Sequence, residues 1–161
     1  MGNYHIRALV DSDFDGCMDL YRYLHAEDDT LPPLKTLRST WNRMIDNSQV
    51  LYPGAFVDKR LVAVCNAQIV LNLTRGARPY AIIENVITHP DFRRRGIGRA
   101  LLTELIRKCD RFDCYKIMLM SDSRRTEAHA FYRSIGFDES AKKAFVLSRR
   151  GRPEGGRINC P

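Results

Sequence analysis

Two glycines one residue apart, Gly96 and Gly98, stand inside the basic stretch Arg93–Ala100. The residues before this stretch predict a strand over Tyr80–Thr88, and those after it predict a helix. Glycine allows a tight turn and lets backbone N–H groups approach a ligand, and a helix N-terminus favours anions. The spacing therefore predicts a site for a diphosphate at this loop.

The loop differs from two common phosphate-binding patterns. A Walker loop requires Gly-Lys-Ser/Thr, which does not follow here. The dinucleotide pattern G-x-G-x-x-G requires a third glycine, and Leu101 stands at that position. That pattern also usually follows the first strand of a fold, whereas this loop lies past the middle of the chain. Neither pattern accounts for the two glycines.

The elements that must position this loop predict a mixed α/β fold in the order β-α-α-β-β-β-α-β-α-β. The first helix is expected to be capped by Asp13, the second to begin after Pro32-Pro33, and the last to begin at a Thr126 cap and end at Gly136. The expected strands are His5–Val10, Val50–Val57, Leu61–Leu73, Tyr80–Thr88, Tyr115–Ser121 and Ala144–Ser148.

The strand before the loop carries an acidic residue, Glu84. Period-two alternation predicts that one face of this strand holds Ile83, Asn85 and Ile87. The other face is then expected to hold Ile82, Glu84, Val86 and Thr88. Desolvation by these apolar neighbours would raise the pKa of the Glu84 carboxyl.

Length and composition bound the class of protein. The chain has 161 residues, 44% of them hydrophobic and 28% charged, a balance typical of one soluble globular domain. We expect a single domain over residues 1–148 and a basic, poorly ordered tail over residues 149–161. That tail holds four arginines against one glutamate, so it carries +3 of the net charge of +7. The N-terminus lacks the apolar segment of a secretory signal and no apolar run would span a membrane, so we expect a cytoplasmic protein.

Several spaced pieces resemble the GNAT superfamily of acyl-CoA N-acyltransferases. Arg93–Ala100 is similar to the family's R/Q-x-x-G-x-G/A loop, and Glu127–Phe137 is similar to its A-x-x-F-Y-x-x-x-G-F signature. The order of elements over residues 4–148 is also the family's order. The resemblance implies a mostly antiparallel central sheet flanked by helices. It further implies direct transfer of acetyl from acetyl-CoA to a primary amine of a small molecule, with no metal.

The same resemblance implies roles for single residues. Glu84 would be the base that deprotonates the amine, acting through water, and Tyr132 would donate a proton or hydrogen bond to the CoA sulfur. Backbone groups of Val86, Ile87 and Thr88 would hold the pantetheine arm and polarise the thioester, and Ser123 is a weaker candidate for a pantetheine contact. The residues expected around the diphosphate are Arg93, Arg94, Arg95, Gly96, Ile97, Gly98, Arg99 and Ala100. Arg125 stands where many members carry Asn, so no contact to the arm is assigned to it.

Each of these side chains also has a purely structural interpretation. Glu84 would then pair with an arginine on an exposed sheet face, and Tyr132 would be a packed aromatic. The arginines would form a solvated basic turn, and Ser123 would be an ordinary turn residue.

Alternatives for the function also stay open at the level of sequence. The acceptor could instead be a protein N-terminus or a lysine. Glu27–Asp29 favour a cationic acceptor, whereas Arg75 and Arg78 favour an anionic one. From another class, a non-catalytic CoA-binding or nucleic-acid-binding module would also explain the basic residues, but no aromatic–basic interleaving supports specific binding of nucleic acid. No membrane partner is expected, and a homodimer is left open.

Overall fold

The structure is a computed structural model that describes residues 3–24 and 30–147. The chain forms two compact units, the first ending at Arg124 and the second beginning at Arg125. The predicted tail lies outside the described residues, as do Ser148 and the acidic turn at 27–29. The domain boundaries proposed from sequence stay a prediction.

The first unit is built on a six-stranded sheet. The strands lie in the order β1-β3-β4-β5-β6, and β2 pairs with β4. Every pair is antiparallel except β5 with β6, which is parallel. The strands are β1 His5–Ala8, β2 Val50–Leu51, β3 Pro53–Val57, β4 Arg60–Val70, β5 Tyr80–Thr88 and β6 Ile117–Leu119. The predicted fold class, a mixed α/β fold with a mostly antiparallel sheet, is confirmed.

Three helices of the first unit cover the sheet: α1 Phe14–Tyr21, α2 Leu34–Ile45 and α3 Ile97–Asp110. Buried residues of α1 and α2 form one core cluster with Val64 of β4. Burial raises the pKa of the neighbouring Cys65 thiol, and Cys109 of α3 adds to this effect. Since successive strand residues point to opposite faces, α3 packs on the face opposite α1 and α2. None of the helices in the described part of the chain is both long and apolar enough to cross a bilayer.

Asp13 occupies the predicted N-cap position of α1, but its side chain forms no capping hydrogen bond. Its carboxylate instead accepts two hydrogen bonds from Arg7, at 2.6 and 2.8 Å, and one from the Val10 amide at 2.8 Å. The cap prediction was therefore right about the position and wrong about the bond. Arg7 extends from β1, so this ion pair ties the first strand to the start of α1.

The second unit contains α4, Thr126–Arg133, with Arg125 rather than Thr126 at the N-cap position. Gly136 follows it at φ 109°, a left-handed conformation that favours glycine after a helix. The strand predicted over Ala144–Ser148 is wrong for residues 144–147, which form no strand and expose Phe145 by 94%. Strands are stabilised by cross-strand pairs and burial. Within the described residues nothing pairs with this segment, and β propensity alone does not form a strand.

Candidate active site

Strand β5 contains a bulge directly after Glu84. Two of its residues, Asn85 and Val86, face the single residue Cys65 of β4. Asn85 has φ 55°, a left-handed conformation in which asparagine is one of the better tolerated residues. A bulge interrupts the regular hydrogen-bond ladder and increases the local twist. The backbone next to Glu84 is therefore out of the regular pairing pattern.

The bulge changes which side chains share a face. Glu84 pairs with Asn66, and Ile87 pairs with Val64, and directly opposite residues lie on one face of a sheet. Because Val64 and Asn66 are two residues apart, Glu84 and Ile87 lie on the same face, the one covered by α1 and α2. The predicted alternation, which placed Ile87 with Ile83, is therefore wrong beyond Asn85, since it assumed an uninterrupted strand.

In the described part of the chain, the second half of β5 has a neighbouring strand on one side only. Strand β6 pairs with Ala81–Ile83 and no further, so within the described residues no strand pairs with the other edge at positions 84–88. Val86 and Thr88 are half-buried there, and Ile87 is buried. An unpaired strand edge binds an extended ligand through its N–H and C=O groups. This edge is suited to an extended chain with amide groups, as pantetheine is.

The arginines of the loop have different neighbours. The guanidinium of Arg93 donates a hydrogen bond of 3.1 Å to the Thr88 carbonyl oxygen at the end of β5. Arg95 lies over the ring of Phe92, 5.0 Å from its centroid. Arg94 and Arg99 are exposed. The arginine side chains of the loop therefore differ in direction, and that of Arg93 points back toward β5.

Gly96 turns the chain into α3. Its φ is 78°, and a Cβ added there would meet no atom within 4 Å. The neighbouring Ile97 is buried and anchors the first turn, while Gly98 and Ala100 are half-buried. The first amides of a helix have no acceptor within it. The open space at Gly96 and these amides together are suited to bind an anion, next to the edge of β5 that no strand of the described residues pairs with.

Glu84 projects an exposed carboxylate from the bulged strand. Burial of part of the side chain raises its pKa above the ordinary value, as the sequence predicted. Within the described residues no cation lies within ion-pair distance of it, which argues against a structural ion pair. A carboxylate with a raised pKa and no ion-pair partner is suited to accept a proton.

Tyr132 lies in α4 of the second unit. Its ring contacts Phe131, with centroids 5.4 Å apart, and Phe137, with centroids 6.2 Å apart. The side chain is half-buried, so the ring has the packing role that was the alternative interpretation. These two contacts involve the ring, and the role of the hydroxyl as a proton donor stays a prediction. Ser123, in the first unit, is an exposed turn residue.

The family model for acetyltransferases, described as the Acetyltransferase (GNAT) family, matches residues 12–137. The chain belongs to the GNAT family. This finding confirms the resemblance on which the site residues were selected. Their individual roles stay predictions, because family membership by itself tests none of them.

Three relatives illustrate the range of GNAT proteins to which the chain is similar. A solved structure from Agrobacterium tumefaciens str. C58 has 34% identity and a TM-score of 0.83, and the match covers 90% of this chain and 99% of that one. Glucosamine 6-phosphate N-acetyltransferase of Trypanosoma brucei brucei is 33% identical over 48% of this chain and 51% of its own length. The [Ribosomal protein bS18]-alanine N-acetyltransferase of Salmonella typhimurium is 34% identical over 52% of this chain and 51% of its own. The chain thus spans about half the length of these two curated relatives.

The site fits the acyl-CoA substrate of a GNAT protein. The anion site at Gly96 suits the diphosphate, and the unpaired edge of β5 suits the amide-containing arm. The described residues contain no group of three or more His, Cys, Asp or Glu side chains arranged to hold a metal ion.

Sequence reasoning did not select Asn66, which the structure places directly opposite Glu84. It is 7% exposed, and its Nδ2 has no hydrogen-bond partner among the described residues. The sequence does mark Asn66 as unusual, because it is a polar residue inside the apolar run Leu61–Ala67. Its position opposite Glu84 depends on the strand register, which this local pattern does not determine.

Proposed function

We propose that the protein transfers the acetyl group of acetyl-CoA directly to a primary amine of a small molecule. The observation that carries this proposal is the edge of β5 that no strand of the described residues pairs with, which begins at Glu84 and ends beside the glycine loop. One continuous surface thereby offers a base, an edge for the pantetheine arm and a site for the diphosphate. Membership of the GNAT family supports this use of the surface.

Glu84 performs the first proton transfer. An alkyl amine has a pKa near ~10 and is mostly protonated at neutral pH, so it must lose a proton before its nitrogen attacks the thioester carbon. The raised pKa of Glu84 brings the carboxyl closer to the working pH, where a base is most effective. Attack forms the C–N bond and places negative charge on the carbonyl oxygen. Backbone groups at Val86–Thr88, beside the bulge, are suited to stabilise that charge.

Tyr132 completes the transfer. Collapse of the tetrahedral intermediate breaks the C–S bond and releases CoA as a thiolate. A tyrosine hydroxyl is a hydrogen-bond donor at neutral pH, and a proton delivered to sulfur favours loss of CoA over return of the amine. The products are the N-acetylated amine and CoA.

The identity of the acceptor is the second part of the proposal. Arg78 forms an ion pair with Asp113, at 2.9 Å, so it is a poorer ligand for an anionic acceptor than the sequence indicated. The similarity to a ribosomal-protein N-acetyltransferase favours a protein N-terminus as the second candidate. A cytoplasmic location, the absence of a specific nucleic-acid partner and a homodimer stay predictions.

Release of free thiol from acetyl-CoA tests the function directly. The panel of acceptors consists of glucosamine 6-phosphate, kanamycin and a short peptide with an N-terminal alanine. Thiol release with glucosamine 6-phosphate or kanamycin supports a small-molecule acceptor, and release with the peptide alone favours the protein N-terminus. Binding of acetyl-CoA without any thiol release would instead support a non-catalytic CoA-binding module.

A further inference from the structure

Asn66 is a buried polar residue in the middle of β4. It is 7% exposed, and its Nδ2 amide has no hydrogen-bond partner among the described residues. Buried amide groups are nearly always hydrogen-bonded, because losing water without a replacement is unfavourable. The neighbouring positions Val64 and Ala67 hold buried apolar residues. Packing of the sheet therefore does not explain an asparagine here.

The side chain of Asn66 lies beside that of Glu84. The two residues are directly opposite each other in the antiparallel pair of β4 and β5. Such residues share a face and have Cβ atoms about 4.5–5.5 Å apart. A single water molecule can bridge an amide and a carboxylate at this spacing. The bulge begins with the next residue, Asn85, so this pair is the last regular one before the ladder is interrupted.

Hydroxyl groups of the core reach the same region. The Tyr21 hydroxyl of α1 forms a hydrogen bond with the Tyr52 hydroxyl, which also contacts Cys17 Sγ at 3.3 Å. Burial raises the pKa of Tyr21, and the nearby Asn66 amide acts in the opposite direction, although its Nδ2 does not reach hydrogen-bond geometry with any of the described residues. Asn66 thus neighbours both a buried tyrosine hydroxyl and the Glu84 carboxylate.

The residue of β4 that pairs with Glu84, Asn66, is uncharged. Burial is the cause of the raised pKa of Glu84, with no contribution from a charged side chain of the described residues. A hydrogen bond donated to the carboxylate, directly or by a bound water, would therefore have a measurable effect on this pKa.

We propose that the Asn66 amide positions the water through which Glu84 removes the proton from the acceptor amine, a role that rests on the function proposed above. The Nδ2–H donates to the water oxygen, and one O–H of the water donates to the carboxylate. The remaining lone pair of the water accepts the proton of the ammonium group. As that N–H bond breaks, the water passes a proton to Glu84, leaving a neutral amine and a protonated carboxyl. Asn66 touches neither the amine nor the thioester, so it is a positioning residue.

Leucine has the same branching at Cγ as asparagine but no hydrogen-bonding group, so Asn66→Leu tests this role. The rate is measured with the best acceptor among glucosamine 6-phosphate, kanamycin and the N-terminal alanine peptide. We expect kcat to fall about 10- to 100-fold, within the range of general-base effects, with the Kd for acetyl-CoA unchanged. The acidic limb of kcat/KM moves to higher pH, because the carboxylate loses a hydrogen bond that favours its charged form. Gln68→Leu is the matched control and keeps the wild-type profile, because Gln68 lies two residues further from the bulge, opposite Ile82, and its amide donates to the Ile69 carbonyl oxygen.

A double-mutant cycle separates positioning from a general structural effect. In the Glu84→Gln background, Asn66→Leu lowers kcat little further if both residues serve the same proton transfer. An equal loss in both backgrounds, or an acidic limb that does not move, would overturn the proposal.

Asn66→Ser keeps a donor and is expected to retain an intermediate rate. It replaces Asn66→Leu in the same tests if the leucine variant does not fold. A wild-type protein that releases no thiol with any acceptor overturns the proposed function, whereas an active wild type with an unaffected Asn66→Leu overturns only the role of Asn66.

Discussion

The amide nitrogen of Ala100 donates a hydrogen bond of 3.0 Å to the carbonyl oxygen of Gly96. This bond closes the first turn of α3 at the residue where the chain takes a left-handed φ of 78°. The amides of the three residues between them have no acceptor within the helix. They are therefore held at the helix end and can donate to an anion.

Replacement of Gly98 by valine tests this anion site. A branched side chain at position 98 blocks close approach of a diphosphate to the backbone amides. We expect the Kd for acetyl-CoA to rise at least about tenfold, equivalent to about 1.4 kcal/mol, as measured by isothermal titration calorimetry. Gly16→Ala is a matched control within helix α1, since its added Cβ would meet Leu61 at an ordinary 3.5 Å. An unchanged Kd in a folded Gly98→Val protein would show that the diphosphate binds elsewhere.

Glu84→Gln is expected to lower turnover most at low pH and less at high pH. The glutamine cannot accept a proton, but at high pH the acceptor amine is already neutral and needs no base. The measurement is the pH dependence of kcat/KM with one fixed amine. If wild-type and variant profiles have the same shape, Glu84 has a structural role.

The same substitution also affects stability in a predictable direction. Burial raises the pKa of Glu84 above its ordinary 4.5, so the folded protein holds this proton more tightly than the unfolded chain. The resulting stability is present below pH 4.5 and is lost as the pH rises through the folded pKa. At neutral pH, Glu84→Gln is therefore expected to be no less stable than wild type in thermal melts, which rules out unfolding as the cause of lost turnover.

Tyr132→Phe removes one hydroxyl and keeps the ring that packs against Phe131 and Phe137. We expect kcat to fall by roughly 10²–10⁴-fold, the usual contribution of a general acid. The Kd for acetyl-CoA and the melting temperature should stay near their wild-type values. Tyr80→Phe, which removes a hydroxyl at the far end of β5, serves as the control. A variant that keeps its kcat but melts earlier would identify Tyr132 as a core residue.

Asp13→Asn weakens the ion pair that ties β1 to α1. Because Arg7 is partly exposed, we expect a cost of about 1 kcal/mol, or a melting temperature about 2–4 °C lower at neutral pH. The Arg7 hydrogen bond lowers the pKa of Asp13 below its ordinary 3.8. The stabilisation is therefore present above pH 3.8 and disappears as the pH falls through the folded pKa.

Thermal melts of Asp13→Asn and wild type at pH 7 and pH 3 test this pH dependence. The control is Asp15→Asn, because Asp15 is exposed and its contact with Arg38 is 3.4 Å long. Equal differences from wild type at both pH values would contradict it.

Local signals were sufficient for much of the fold and for the location of the site. The predicted bounds of β5, Tyr80–Thr88, agree with the structure, and α3 begins inside the glycine loop as expected. Periodicity, glycine positions and helix-start residues depend on a few neighbouring residues, so the sequence contains them directly. The spacing of the loop and the residues 127–137 was also sufficient to indicate the GNAT family.

Only the tertiary structure decided the arrangement around Glu84. The bulge at Asn85 moves Ile87 to the other face, and strand register places Asn66 opposite the carboxylate. Asp13 binds Arg7 in preference to capping α1, and the apolar segment 144–147 forms no strand although its composition favours one. Each of these outcomes depends on which residue of a distant segment becomes the partner. Pairing between segments is set by the packing of the whole chain, so a pattern read along one segment does not determine it.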